Sequence, residues 1–167
     1  MSSSCVRALS SLAIALLAAS ANAEELTGTV VSVEDGDTLT VLVETQRIEV
    51  HLADIDAPEL KQPFGQQSRE SLVELCFGTD AVVREIRRDG YGRTLGRLDC
   101  AGADANVEQL RRGMAWVYQR QPDTASSLFF FQDQAQRIRE GLWVDKTPVA
   151  PWEWRRLRRP IPKPKKK

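Results

Sequence analysis

Three short stretches in the first half of the chain alternate apolar and polar residues. They run through Leu26–Val33, Leu39–Val43 and Ile48–Leu52. A two-residue period is typical of strands with one buried face. Asp35-Gly36 favours a tight hairpin turn between the first two stretches, and a second short polar break separates the next two. The pattern therefore predicts a meander of three antiparallel strands.

The period then becomes helical within "PFGQQSRESLVELCFG". Leu72, Leu75 and Cys76 recur at helical spacing, and Gly78 follows where a helix would end. Two more alternating stretches, residues 81–86 and 95–100, predict a fourth and a fifth strand.

Two further helices follow, with the brief extended stretch "MAWVY" between them. The first covers residues 107–112 and is closed by Gly113, and the second has Thr124 as N-cap and Gly141 as C-cap. This order predicts an α+β fold, a five-stranded β-barrel of the OB type with three helices.

The two ends of the chain differ in composition from the body. Residues 1–23 combine Arg7, the apolar run "ALSSLAIALLAAS" and a small-x-small ending at Ala23, as expected of a signal peptide cleaved after that residue. The run is short for a membrane span, and as a buried helix it would lack an amphipathic pattern. We therefore expect a periplasmic or secreted protein with no membrane span after cleavage.

The charge is unevenly distributed along the chain. Residues 24–150, which we expect to form a single domain, hold 14 basic and 22 acidic residues, a net charge of −8. Residues 151–167 hold eight basic residues and one acidic residue, and we interpret them as a Pro/Trp segment followed by a disordered basic tail. An acidic body favours divalent cations, whereas a basic tail favours a polyanion.

Two cysteines remain once cleavage removes Cys5. In an oxidising compartment an even pair indicates a disulfide, here Cys76–Cys100. The alternative is that both are buried free thiols.

Acidic residues cluster at two predicted strand ends. One cluster is the sequence Asp35-Gly-Asp37-Thr, and the other contains Asp54, Asp56 and Glu59. Carboxylates from separate loops are the ligands that hard cations such as Ca²⁺ prefer. Taken singly, each cluster is equally typical of a solvated turn. Pro58 restricts the backbone just before the last acid, which adds weight to a site.

The loop "DGYGRTLGRL" places Arg93 at the start of the fifth strand. A guanidinium held there could bind a phosphate through two hydrogen bonds. The alternative is an ordinary surface arginine paired with Asp89.

Together these motifs resemble the staphylococcal-type thermonucleases, secreted calcium-dependent nucleases built on an OB fold. The resemblance extends from about Thr27 to Trp143 and rests on "DGDT", "IDAPE", "FGQQS", "YGRTLGR", "ANVEQLRRGMAWVY" and "REGLW", in the family's order. Each motif alone is weak, but the set is specific.

The resemblance implies a role for each matching residue. Asp37 and Asp56 match the calcium carboxylates, and Ala57 stands where the family uses a backbone carbonyl as a ligand. Glu59 matches the carboxylate that orients or deprotonates the attacking water, and Arg93 matches the arginine on the leaving-group side.

Further matches concern substrate and support. Tyr91 matches the tyrosine of the same loop, and Tyr118 could stack on a base, as Trp116 could if it were not packed in the core. Asp35 would support the calcium carboxylates.

One position departs from the family pattern. Where the family has an arginine five residues before the second calcium aspartate, this chain has His51. A neutral imidazole cannot replace a permanent bidentate charge. His51 could be a weaker, pH-dependent phosphate donor, a change that costs activity, or a nitrogen ligand that retunes the site toward Mn²⁺ or Zn²⁺.

The resemblance implies a monomeric nuclease that uses Ca²⁺, with Mn²⁺ or another divalent cation as an alternative. It would cleave DNA and RNA at the 5′ side and leave 3′-phosphorylated ends. The alternative, which His51 favours, is a catalytically weakened module that binds nucleic acid or another polyanion without cleaving it.

Overall fold

A computed structural model describes residues 25–118 and 126–158 of the chain. The predicted signal peptide, the predicted N-cap Thr124 and the lysine-rich end of the chain lie outside these residues. The strands and helices, in chain order, are β1 Leu26–Val33, β2 Thr38–Val43, β3 Gln46–Leu52, β4 Ile55–Asp56, α1 Gly65–Cys76, β5 Asp80–Arg88, β6 Thr94–Cys100, β7 Ala103–Asp104, α2 Ala105–Arg111, β8 Trp116–Val117, α3 Ser126–Ile138 and α4 Pro151–Leu157, with a 3₁₀ helix at Gly141–Val144 between α3 and α4.

Five strands close into the predicted barrel. The sheet runs in the order β3-β2-β1-β5-β6-β7, and β3 also pairs with β6. The closing pair is parallel, with Val50 opposite Thr94 and Leu52 opposite Gly96. Register shifts in β1 and β5 interrupt the regular pairing, and such bulges increase the bend that closure requires. The α+β class and the OB-type five-stranded barrel are therefore confirmed.

The barrel interior is filled by one face of each strand. Val30, Val41, Val50, Val83 and Leu98 are each at most 1% exposed. Alternation delivers them to one side because successive side chains of a strand point to opposite faces. Leu72 of α1 and Leu110 of α2 belong to the same cluster, so these helices pack against the barrel.

Cys76 and Cys100 form the predicted disulfide, with Cα atoms 5.2 Å apart. It joins the end of α1 to the end of β6. Both residues are buried, at 0% and 2% exposure.

The helices after the barrel differ from the sequence prediction in number. The described residues contain four α-helices rather than three, because Pro151–Leu157 forms α4 within the part interpreted as a Pro/Trp segment followed by a basic tail. The helix expected to end at Gly141 ends at Ile138, since Arg139 has a φ of 56° and leaves the helical region. Gly141 instead begins the 3₁₀ helix.

Packing explains why glycine stands at position 141. Its φ is +55°, and an added Cβ would lie 2.4 Å from the carbonyl oxygens of Arg112 and Gly113. Within residues 25–118 and 126–158, none of the helices has the length and apolar character needed to cross a bilayer.

Candidate active site

One cleft of about 1110 Å³ opens at the end of the barrel where β2 begins and β3 ends. Its walls come from the β1–β2 turn, the β4 region, the β5–β6 loop and α4. The cleft brings together all the residues predicted for the site, namely Asp35, Asp37, His51, Asp56, Ala57, Glu59, Tyr91, Arg93 and Tyr118.

The Asp35–Asp37 turn is held from beneath by Gln109 of α2. The Gln109 side chain is fully buried and donates to the carbonyl oxygens of Gly36, at 2.6 Å, and Ser68, at 3.1 Å. A Cβ at Gly36 would lie 1.8 Å from Ser68 Oγ, so only glycine allows α1 to approach this closely. The turn is therefore fixed by packing from two helices as well as by its own sequence.

The Asp37 carboxyl is buried beside two other carboxylates, those of Asp35 and Asp56. Desolvation raises the pKa of its carboxyl well above the ordinary value, and the neighbouring charges of Asp35 and Asp56 raise it further. Two hydrogen bonds oppose this effect, because its oxygens accept from the backbone N–H of Ala57 at 2.5 Å and from Thr38 Oγ1 at 3.1 Å. The first bond brings Ala57 directly beside Asp37.

Asp56 is positioned by a short strand pair. In β4 it lies opposite Trp116 of β8, and it is 7% exposed. Burial raises the pKa of its carboxyl; hydrogen bonds and charge from Arg155 counteract part of that, and the negative charge of Glu59 adds to the rise. Asp54, two residues earlier, turns away to pair with Arg87 at 2.6 Å.

Glu59 is presented by a tightly bonded loop. Its backbone N–H donates to Gln62 Oε1 at 3.2 Å, and its carbonyl accepts from the Gln62 N–H at 2.7 Å. An added Cβ at Gly65 would lie 2.0 Å from the same carbonyl, so the start of α1 packs directly on this loop. The Glu59 side chain is 40% exposed and faces the cleft.

Arg93 is held by Asp89 at the opposite wall. Asp89 accepts from Arg93 Nε at 2.7 Å and from the backbone N–H groups of Arg93 and Tyr91. Although desolvation raises the pKa of the Asp89 carboxyl, these hydrogen bonds lower it to about 2. Arg93 thus pairs with Asp89, as the surface interpretation expects. Its side chain is nevertheless 46% exposed and lines the cleft.

His51 is engaged on both ring nitrogens. Nδ1 lies 3.0 Å from Thr38 Oγ1, and Nε2 lies 3.1 Å from Glu49 Oε1. The ring is thus fixed along β2 and β3.

Two tyrosines line the cleft, and Trp116 packs nearby. Tyr91 is 83% exposed at the tip of the β5–β6 loop, with the Arg93 guanidinium 5.8 Å from its ring. The Tyr118 ring lies 5.5 Å from that of Trp152. Trp116 contacts Trp143 edge to face, with ring centroids 4.3 Å apart, as the packing interpretation of Trp116 expects.

The donor chemistry of the cleft fits a divalent cation. Asp35, Asp37 and Asp56 repel one another electrostatically, and a cation relieves that repulsion. The proposed ligands are two carboxylates and one carbonyl, hard oxygen donors with positions left for water or substrate. Within the part of the chain that the structure describes, no group of three or more His, Cys, Asp or Glu side chains is placed to hold a metal ion by itself.

Three residues near the site were missed by sequence reasoning. Arg155 of α4 contacts Asp56 and Glu59, Gln109 holds the Asp35–Asp37 turn, and Gln62 holds the Glu59 loop. A signal for α4 does exist, since proline at its first position and arginine in its last turn are typical of a helix. The two glutamines give no local signal, because polar residues in a loop or on a helix are ordinarily exposed.

Comparisons with known proteins find one matching family model and several similar proteins. A family model described as staphylococcal nuclease homologue matches residues 49–145. A micrococcal nuclease of Shigella flexneri is 42% identical over 139 residues, 77% of this chain and 80% of that protein. The Escherichia coli protein ParB is 39% identical over 161 residues, 90% of each chain. A Haemophilus influenzae protein described as an uncharacterized endonuclease is 39% identical over 134 residues, 80% of this chain and 75% of that one.

Proposed function

The chain belongs to the staphylococcal nuclease family, and we propose that it is a secreted, divalent-cation-dependent nuclease that hydrolyses phosphodiester bonds of DNA and RNA. Its relatives support a nuclease function directly, whereas the cation, the substrates and the secretion are our inference. The observation that carries the proposal is the meeting of Asp37, Asp56, Glu59 and Arg93 in one cleft from three separate segments of the chain.

Asp37 and Asp56, with the Ala57 carbonyl, would hold the cation, for which Ca²⁺ is the first candidate and Mn²⁺ an alternative. When bound, it would supply positive charge against the non-bridging oxygens of the scissile phosphate. Asp35 supports this pair, because its carboxylate accepts from the Asp37 backbone N–H at 3.1 Å and fixes the turn.

Glu59 would take the proton of the attacking water, whose oxygen then bonds to phosphorus. Its exposure to the cleft suits that role, and Pro58 and Gln62 restrict the backbone that presents it. Arg93 would hold the phosphate on the side of the departing oxygen, with Asp89 fixing its direction. The bond between phosphorus and the 5′-oxygen would break, the departing 5′-oxygen would take a proton from solvent, and the phosphate would remain on the 3′-oxygen.

Substrate recognition is expected to ignore sequence. Tyr91 and Tyr118 offer aromatic rings in the lining of the cleft, and stacking on such rings is open to any base.

Secretion is supported by two features of the chain. The first 23 residues have signal-peptide composition, and a Cys76–Cys100 disulfide suits an oxidising compartment. Cell fractionation and N-terminal sequencing of the mature protein test this; a start near Glu24 in the periplasm or medium is expected, and an intact Met1 in the cytoplasm would contradict it.

The alternative function, a weakened module that binds polyanions, is favoured by one observation. His51 stands at the family's arginine position with both ring nitrogens already engaged. If no other residue supplied a second positive charge to the phosphate, a histidine in place of that arginine would make cleavage slow.

Digestion of plasmid DNA and of a structureless RNA, with Ca²⁺, with Mn²⁺ and with EDTA, separates the two functions. Cation-dependent cleavage that is lost in Glu59→Gln supports the nuclease. Binding of both nucleic acids with no cleavage under any cation would refute it and favour the binding module.

A further inference from the structure

A guanidinium from outside the family-matched region reaches into the cleft. Arg155 Nη1 donates to Asp56 Oδ1 at 3.0 Å and to Glu59 Oε1 at 2.8 Å, and its Nη2 donates to Asp56 Oδ2 at 2.6 Å. The family model ends at residue 145, and Arg155 lies 99 positions from Asp56 along the chain. The side chain is 43% exposed, so it lies at the mouth of the cleft and not in the core.

The helix that carries this arginine is anchored at two points. Gln62, whose Oε1 accepts from the Glu59 backbone, donates through Nε2 to the Val149 carbonyl at 2.6 Å, two residues before α4 begins. Trp152 packs against Trp116, with ring centroids 5.9 Å apart. Gln62 thus joins the Glu59 loop to the start of α4. The position of Arg155 beside Asp56 and Glu59 is therefore set by the fold.

The other cleft arginines have partners of their own. Arg87 pairs with Asp54 and Arg93 with Asp89. Arg155 alone, among the described arginines, bonds to Asp56 and Glu59, the proposed cation ligand and the proposed base.

We propose that Arg155 is the second guanidinium that binds the scissile phosphodiester, supplied from α4 in place of the β3 position that His51 occupies. This inference rests on the proposed nuclease function. Before cation and substrate bind, Arg155 bridges Asp56 and Glu59. Once a cation engages Asp56, the guanidinium turns to the phosphate oxygens.

Charge and geometry both favour this exchange. A planar guanidinium donates two parallel hydrogen bonds equally well to a carboxylate or to a phosphate. Hydrogen bonds to Asp56 and Glu59 raise the pKa of Arg155 despite its desolvation, so it stays charged throughout. Its departure would also release Glu59 Oε1, which a base needs in order to take a proton from water.

The test uses Arg155→Met, which keeps an unbranched apolar stem and removes the guanidinium with its charge, and Arg155→Lys, which keeps the charge without the fork. Arg156→Met is the matched control, since it removes one charge from the next position of α4, where the guanidinium pairs with Glu153 and is 73% exposed. Three quantities are measured: kcat on DNA, the Ca²⁺ Kd of the protein without nucleic acid, and the Kd for a single-stranded DNA oligonucleotide with Ca²⁺. The last is measured in a Glu59→Gln background that prevents turnover.

Loss of one transition-state donor lowers kcat by roughly 10²-fold, so we expect that drop in Arg155→Met, a smaller one in Arg155→Lys and almost none in Arg156→Met. Calcium affinity should be unchanged or higher, because a competing cation has left Asp56. Oligonucleotide affinity should fall by about tenfold, the value of one charge-assisted hydrogen bond. Adding His51→Arg to Arg155→Met should restore more activity than it adds to the wild type.

Equal or faster cleavage by Arg155→Met would overturn the proposal and identify Arg155 as a plug over the cation site. A weaker Ca²⁺ affinity would overturn it as well, since Arg155 would then only position Asp56. If the wild type cleaves nothing under any cation, the proposed function fails, and the oligonucleotide measurement decides on Arg155 separately: the tenfold loss supports phosphate binding, and no loss refutes it.

Discussion

Replacing Gln109 by leucine should weaken cation binding without any change in the ligands. Gln109 is fully buried, and its amide donates to the Gly36 carbonyl between the two aspartates of the β1–β2 turn. Its Oε1 also accepts from Ser71 Oγ at 2.7 Å. Leucine has a similar size but can make neither bond.

The stability cost follows from the groups left behind. An unpaired buried carbonyl or hydroxyl costs roughly 1–3 kcal/mol, so the Gly36 carbonyl and the Ser71 hydroxyl together give about 2–6 kcal/mol. The lower half of that range is expected, because Ser71 Oγ retains a contact with Arg112 Nη1 at 3.4 Å and because leucine adds apolar burial.

Asn106→Leu is the matched control. Asn106 is also fully buried on α2, donates to the Ala53 carbonyl at 2.7 Å and accepts from the Leu98 N–H at 3.1 Å. Its loss removes side-chain bonds to two backbone groups, as Gln109→Leu does at Gly36 and Ser68, so the stability cost should be similar. It does not touch the Asp35–Asp37 turn.

Urea unfolding in EDTA and calorimetric Ca²⁺ titration of the folded proteins distinguish the two variants. Both should lose about 2–4 kcal/mol of unfolding free energy, but only Gln109→Leu should bind Ca²⁺ about tenfold or more weakly. Equal Ca²⁺ affinity in the two variants would refute the view that Gln109 positions the turn.

Four further predictions follow from the same structure. Because the folded pKa of Asp37 is raised, its contribution to stability is present below about pH 4 and lost as pH rises; Asp37→Asn should therefore raise Tm in EDTA at pH 7 more than at pH 4, and an equal change at both would contradict this. Removing the disulfide with Cys76→Ala/Cys100→Ala should cost about 3.5 kcal/mol for a loop with a sequence separation of 24, measured by urea unfolding against the oxidised wild type; a cost below about 1 kcal/mol would argue against it. His51→Arg should raise kcat, by up to about 10²-fold, and flatten any gain of the wild type at mildly acid pH; a flat wild-type pH profile with no gain in the variant would end that idea. Deleting residues 161–167 removes four lysines and should flatten the log–log salt dependence of duplex DNA binding by up to about 3.6 units with kcat unchanged, whereas an unchanged slope would show that the tail does not touch DNA.

Local pattern was sufficient for most of the barrel. The strands were predictable because a half-buried strand imposes a two-residue alternation that can be read within six or seven positions, and Leu39, Val41 and Val50 are buried as it requires. The family motifs likewise predicted a set of site residues, and the structure brings the side chains of that set into one cleft.

The helix count failed for a physical reason. Helix α4 is seven residues long, too short to show a helical period or to be stable alone, and it is held by Trp152 and by Arg155. Its stability comes from partners far away in the chain, which composition cannot reveal.

The sequence by itself determined which faces are buried, where the turns lie and which carboxylates and arginine of the family are present. Only the tertiary structure decided which polar groups meet across the chain: Gln109 with Gly36, Gln62 with Val149, and Arg155 with Asp56, at sequence separations of 73, 87 and 99. The reason is that a hydrogen bond depends on the position of two atoms to within a fraction of an ångström, and that position is fixed by the closed barrel and its packed helices, not by the residues next to either partner in the sequence.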